Sequence, residues 1–148
     1  MINIKNVDHL GIRVTDAQRA LSFYKILGFD LHKEVDFDSV IIVKNPNGVE
    51  INFIVNGADV NNGKNILMDV PEKHPGYTHV AFQVDSIITT LEALEENNII
   101  PSQGPVAFGN DGHVSVFIRD PDRNVIELRA RLEDESKIPG LVLYDPGA

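Results

Sequence analysis

The feature that most constrains this chain is that it says the same thing twice. His9-Leu-Gly-Ile-Arg-Val14 returns 70 positions later as His79-Val-Ala-Phe-Gln-Val84. A helical pattern follows each copy, with Leu21 matched by Leu91 at the same offset. A third element also recurs: Asn45-Pro-Asn-Gly-Val-Glu50 is answered by Asp120-Pro-Asp-Arg-Asn-Val-Ile-Glu127. Matching the two glutamates sets that offset at 77 and makes the second copy seven residues longer between its His and its Glu. Each half reads β-α-β-β-β, with a histidine on its first strand and a glutamate on its last. An internal repeat of this size means two like supersecondary units built to share one architecture.

The elements follow from periodicity and punctuation. Residues 6–15 alternate as a strand, with His9, Gly11 and Arg13 on one face and Leu10, Ile12 and Val14 on the other. Thr15 or Asp16 caps a helix carrying Ala20, Phe23, Tyr24 and Leu27, and Gly28 stops it. Strands follow at Phe29–Val35, Ser39–Lys44 and, after the Asn45–Gly48 turn, Val49–Val55. Residues 56–75, rich in Asn, Gly and Pro, read as a linker with a short element around Ile66–Val70. The second half opens with the strand Tyr77–Asp85. A helix follows, capped by Asp85 or Ser86, carrying Ile87, Leu91, Leu94 and Ile99, and closed by Pro101. A weak strand around Pro105, the Gly109–Gly112 loop, the strand His113–Arg119 and the strand bearing Glu127 complete it. The expectation is a single α+β domain of two modules, 5–55 and 76–131. The tail, 132–148, ends in the apolar run IPGLVLY, which packs across a dimer interface or over the mouth of the site, or stays disordered.

Composition enters as a set of exclusions. The chain has 148 residues, which suits one domain or two small halves sharing a core. Its formal net charge of −9 argues against a nucleic-acid backbone or an anionic membrane as partner. With no cysteine, thiolate metal sites and cysteine nucleophiles drop out, so a metal has only His, carboxylate or water to hold it. No apolar run approaches spanning length and the first residues lack a signal core, so the expected location is the cytoplasm.

A lone glutamate on a strand is ordinarily solvated, and a lone strand histidine is ordinarily a hydrogen-bonded structural residue. Four such residues recurring as two matched pairs are a different matter. If each half contributes a curved sheet and the two pair about a pseudo-twofold axis, His9, Glu50, His79 and Glu127 can converge. A donor set of two imidazoles and two carboxylates suits Ni, Zn, Co, Mn or Fe(II), with open positions for water or substrate. His32, His74 and His113 have no such partners and are left as structural residues. His113 is the nearest of them to the site, following the glycine loop beside the Glu127 strand.

The motifs V-D-H-L-G-I-R-V with A-L-S-F-Y, T-H-V-A-F-Q-V-D and R-D-P-D-R-N-V-I-E-L together resemble the vicinal oxygen chelate superfamily. Its members include glyoxalase I, extradiol dioxygenases, methylmalonyl-CoA epimerase, fosfomycin-resistance thiol transferases and metal-free bleomycin-binding proteins. The resemblance spans residues 5–131. It implies paired β-α-β-β-β modules forming an open-sided mixed β-sheet barrel around one divalent metal, with the ligands at His9, Glu50, His79 and Glu127.

Within that family the ligand set resembles glyoxalase I. That implies a metal-dependent lyase or isomerase acting on a small substrate with vicinal oxygens, a glutathione hemithioacetal among the candidates. Glu127 is the implied base for a carbon-bound proton and Glu50 its counterpart. Arg13 resembles the arginine that grips a glutathione carboxylate. Arg129 is placed to bind a second anionic group, and Asn52 and Gln83 are expected to line the interior. The chain departs from glyoxalase I in three places. Ile54 stands four residues past the second ligand where asparagine is usual, Arg123 replaces a common glycine, and there is no tryptophan. An epimerase, another isomerase or another lyase therefore stays open. The alternatives are an extradiol-type dioxygenase, against which Phe117 stands where those enzymes usually carry tyrosine, and a non-catalytic small-molecule binding or resistance protein. A homodimer is the expected assembly.

Overall fold

Both copies start with the same local chemistry. In the computed structural model, which describes residues 1–35, 38–132 and 137–147, Asp16 caps the first helix by accepting from Arg19 N at 2.8 Å. Ser86 caps the second by accepting from Thr89 N at 3.1 Å. These side chains satisfy amides that have no partner inside the helix. The two helices, α1 (Ala17–Ile26) and α2 (Ile87–Glu96), keep the offset of 70 at both ends. Their exits match too. Gly28 (φ 94°) and Asn98 (φ 57°) take the left-handed conformation, while Phe29 N and Ile99 N return to the carbonyls of Tyr24 and Leu94. The second helix thus stops at Glu96, before Pro101, because Asn98 serves where the first copy uses glycine.

Two compact units divide the chain, Met1–Lys64 and Asn65–Ala148. The first holds β1 (Leu10–Arg13), α1, β2 (Asp30–Val35), β3 (Val40–Lys44) and β4 (Glu50–Ile54) in one sheet ordered β1-β4-β3-β2. β1 runs parallel to β4, as a crossover through a helix requires, and the remaining pairs are antiparallel. Alternation along β4 sends Ile51 and Phe53 into the core, both fully buried, while Glu50, Asn52 and Ile54 lie on the other face. Tyr24 of α1 packs between Phe53, tilted to it (ring centroids 4.9 Å), and Phe29, edge-on (6.2 Å). Burial of each such side chain stabilises by about 1.5–3 kcal/mol.

The second unit holds β5 (His79–Gln83), α2, β6 (Gln103–Ala107), β7 (His113–Arg119), β8 (Val125–Arg131) and β9 (Val142–Leu143). Its sheet is ordered β5-β8-β7-β6-β9, again with the first strand parallel to the last of the module. Ile87 and Leu94 of α2 are buried with Val116, Ile118, Ile126 and Leu128. Strand β8 is covered on both faces from Val125 to Leu128, so Glu127 is only 7% exposed. Among the described residues each unit carries a β-α-β-β-β module with one mixed sheet and one helix, the second adding β9 from the tail, which is the α+β class expected.

The tail takes a form the sequence did not specify, and the short element expected around Ile66–Val70 is present as a turn. The tail adds β9 in parallel to β6, with Val106 opposite Val142 and Ala107 opposite Leu143, and Tyr144 stacks near Phe108 (5.0 Å). Residues 65–69 form a hydrogen-bonded turn, with Asp69 N on Asn65 O at 2.7 Å, and Asp69 becomes a hub. Its carboxylate accepts from Arg123 Nε (2.7 Å) and Nη2 (3.1 Å) and pairs with Arg119 Nη2 (3.0 Å). The Arg123 guanidinium holds Asp69 well below the usual carboxylate range, and Arg123 is itself raised by the same contact. No helix among the described residues is long and apolar enough to cross a membrane.

Candidate functional site

The cluster of the second unit is built on β5, β7 and β8. The register sets Ala81 opposite Glu127 and Phe117 on its other side, so these residues share a face with His79 and Ser115. Glu127 Oε1 lies 3.3 Å from His79 Nε2. Its other oxygen, Oε2, accepts from Ser115 Oγ at 3.0 Å and has Arg129 Nη1 at 3.8 Å. The carboxylate is thus held at one oxygen and turned toward an imidazole at the other. His79 is oriented from behind by Thr78 Oγ1, 2.9 Å from Nδ1, and its ring meets Phe117 edge-on at 5.8 Å. Fixing one ring nitrogen decides what the other can do, the usual device for presenting an imidazole to a metal or a proton.

The cluster of the first unit is more open. His9 stands one residue before β1 and its Nδ1 lies 2.7 Å from Asp8 Oδ1 and 3.9 Å from Glu50 Oε2. A carboxylate can only accept, so Nδ1 is the donor in the contact with Asp8. Asp8, His9 and Glu50 each bring a donor atom within 4.8 Å of the others. Glu50 Oε1 has a second partner, Lys44 Nζ at 3.3 Å, directly across the β3–β4 ladder. Arg13 is engaged by Asn56, whose Oδ1 accepts from its Nε at 3.0 Å. Asn52 Oδ1 is buried and has no hydrogen-bond partner.

The strand registers correct the alignment of the two halves. Gly11, two residues past His9, sits opposite Asn52, whereas Ala81, two past His79, sits opposite Glu127. The preceding turns agree. Asn45 N bonds Val49 O and Asn45 Oδ1 accepts from Asn47 N and Val49 N. Asp120 N bonds Asn124 O and Asp120 Oδ1 accepts from Asp122 N and Asn124 N. The turns are the same length, with Arg123 (φ 64°) taking the left-handed place of Gly48 (φ 83°). The counterpart of Glu127 is therefore Asn52, and the counterpart of Glu50 is Val125. The departure read at Ile54 changes with it, because four residues past Asn52 stands Asn56.

Gln83 and Arg129, both expected near substrate, line a cavity of about 210 Å³ in the second unit with Ala81, His113 and Arg131. Arg129 is engaged there: its Nη2 donates to Asp111 Oδ2 at 2.5 Å, which lowers the Asp111 pKa. Asp111 belongs to the glycine loop before β7 and also accepts from His113 N at 3.0 Å. Sequence reasoning did not single out Ser115, Thr78, Asp8, Lys44 or Asp111. Ser115 and Lys44 were reachable, since alternation places both on the functional faces; the contacts of Asp111 depend on loop geometry.

The family model described as the Glyoxalase/Bleomycin resistance protein/Dioxygenase superfamily matches residues 6–128. A lactoylglutathione lyase of Haemophilus influenzae is 30% identical over 136 residues, covering 90% of this chain and 96% of that protein. The glyoxalase domain-containing protein RDO1 of Mycosarcoma maydis is also 30% identical over 136 residues, 86% of this chain and 69% of that one. Among solved structures, a glyoxalase/dioxygenase from Nostoc punctiforme shares the fold with a TM-score of 0.66 at 24% identity, over 87% of this chain and 92% of that one. The chain belongs to the Glyoxalase/Bleomycin resistance protein/Dioxygenase superfamily.

Proposed function

We propose that the protein is a divalent-metal-dependent lyase or isomerase of the glyoxalase I type, transferring a carbon-bound proton on a small substrate with vicinal oxygens. The observation that supports this most is the state of Glu127. It is a buried carboxylate with Oε2 fastened by Ser115 and Oε1 turned to His79 Nε2. The relative in Haemophilus influenzae named lactoylglutathione lyase supports the reaction class.

The residues present fit a divalent cation. His9 and His79 offer imidazole nitrogens and Glu127 a carboxylate oxygen, with a further oxygen from β4, where the sequence expects Glu50. The buried, unpartnered Oδ1 of Asn52 is a second oxygen on that strand. With no thiolate in the set, Ni, Zn, Co, Mn and Fe(II) are the suitable ions. When bound, such an ion polarises two vicinal substrate oxygens and stabilises the charge that develops on them.

The protein's own groups do the rest. Glu127 takes the proton at Oε1, the oxygen that Ser115 leaves unfastened, and returns it to the neighbouring carbon. A positioned base of this kind is worth roughly two to four orders of magnitude. Glu50, the second carboxylate expected from the sequence, has its charge balanced by Lys44. Arg13, Gln83 and Arg129 contact the substrate's polar groups, and an anionic group is the natural ligand of the two guanidiniums. We further propose a homodimer, which sedimentation checks. Turnover is tested by supplying methylglyoxal with glutathione and following consumption of the hemithioacetal with Ni, Co, Zn and Mn in turn. The reading expects activity that chelation removes and metal restores. No uptake of any of these ions, together with no turnover, contradicts it.

One observation favours a second reading, ring-opening oxygenation on Fe(II). With Asn52 in the place that matches Glu127, a set of two histidines and one carboxylate remains, the pattern of non-haem iron oxygenases. Phe117 beside His79 weighs against it. Fe(II)-dependent oxygen uptake with catechols separates the two.

A further inference from the structure

Resting on the metal-dependent reading, we propose that the oxygen offered to the metal by the first unit is Oδ1 of Asn52, and that Glu50 is an outer carboxylate tied to Lys44. Three observations on separate parts of the first unit lead there. The strand register puts Asn52, not Glu50, opposite the residue two past the histidine, the place Glu127 holds in the second unit. The turns before the two strands share their backbone bonds and both bonds to the Asn45 or Asp120 Oδ1, so no two-residue gap exists to bring Glu50 into that place.

The second observation is the state of the amide itself. Asn52 Oδ1 is buried without a partner, and its register neighbours, Gly11 and Ile42, have no polar side-chain atom to give it. A buried acceptor left unpaired costs about 1–3 kcal/mol, and native proteins keep few of them without a use. An amide oxygen is a hard donor that suits a divalent cation.

The third is the state of Glu50. Oε1 lies 3.3 Å from Lys44 Nζ, a cation already present at the carboxylate and carried by the adjacent strand. A metal ion taking Glu50 has to compete with that ammonium for the same charge. A neutral amide in place of a carboxylate leaves the bound ion one unit more positive. That makes it a stronger Lewis acid and leaves Glu127 as the ionised ligand.

The test uses the full chain, stripped of metal by chelation and titrated with Co2+ by calorimetry, with the visible absorption of bound Co2+ read in parallel. Asn52→Leu should weaken Co2+ about tenfold or more and alter the absorption intensity, as loss of a ligand does. Asn52→Asp should tighten it about tenfold, by putting a charged oxygen at the same place. Glu50→Gln should leave the affinity within about twofold, as for a group outside the coordination sphere. Weakening in Glu50→Gln with no change in Asn52→Leu overturns the assignment. If Asn52→Leu does not fold, Asn52→Asp decides alone, and unchanged affinity there overturns it. Wild-type protein that takes up no Co2+ sinks the metal-dependent reading itself and this assignment with it. Binding that Glu127→Gln removes and Asn52→Leu leaves intact refutes only the assignment.

Discussion

Asp69→Asn should destabilise the second unit in a way that fades with acid. Asp69 is the hub that ties the 65–69 turn to the turn launching β8, through two bonds from Arg123, one from Asn65 N (2.8 Å) and the pair with Arg119. Its side chain is 11% exposed, that of Arg119 18%, and that of Arg123 47%. The Arg119 leg therefore counts as partly buried, where breaking a pair reaches 3–5 kcal/mol at full burial. The Arg123 leg is discounted toward the 0.2–1 kcal/mol of exposed pairs. Together they predict a loss of about 1–3 kcal/mol at neutral pH. At roughly 2–4 °C per kcal/mol for a chain near this size, that is about 2–12 °C in Tm. The Asp69 carboxyl is depressed in the folded state, so its contribution is complete above the unfolded value of 3.8 and is lost as pH falls toward the lower folded value. The gap between wild type and variant should therefore shrink by about 1 kcal/mol between neutral pH and about pH 3. Urea denaturation followed by circular dichroism at the two pH values measures both. A gap under about 0.5 kcal/mol at neutral pH, within the range of an ordinary surface substitution, or one that does not change with acid, refutes the reasoning.

Glu127→Gln should lower kcat by at least about two to four orders of magnitude in the turnover assay with the protein still folded, since it removes both the base and a proposed metal ligand. Arg123→Gly should stay within about 1 kcal/mol of wild type in urea. Relief of the left-handed conformation at φ 64° offsets the loss of an exposed ion pair, and Arg119 still serves Asp69. Asp111→Asn should lower KM for anionic substrates, because it removes the carboxylate that now occupies Arg129. An unchanged KM with kcat intact would place Arg129 outside the substrate contacts.

Much of this architecture was legible because it is written in local chemistry. Asp16 and Ser86 announce the helix starts, alternation marks the strands, and the repeated histidine motif shows the duplication without any structure. The matching of the two halves shifts by two residues on β4 for a physical reason. Residues two apart on a strand share a face, so period-two reasoning cannot tell Glu50 from Asn52. Matching like side chains preferred the carboxylate, whereas the backbone bonds around Asn45 and Asp120 match the turns and carry Asn52 into register. The stop of α2 was read too late because Asn98 acts as a glycine does, which composition does not flag. The Asp69 hub joins residues 54 positions apart and β9 pairs with a strand more than 30 residues earlier, so neither leaves a local trace.

The central claim is that Glu127 and the two histidines serve a bound divalent ion, and metal analysis of matched preparations tests it most directly. Wild-type protein, Glu127→Gln and His79→Ala are purified without chelator, dialysed identically and measured for Ni, Co, Zn, Mn and Fe. The account predicts close to one ion per wild-type chain and a large loss in both folded variants. Metal-free wild-type protein that takes up none of these ions on addition, or variants that retain the full complement, would contradict it.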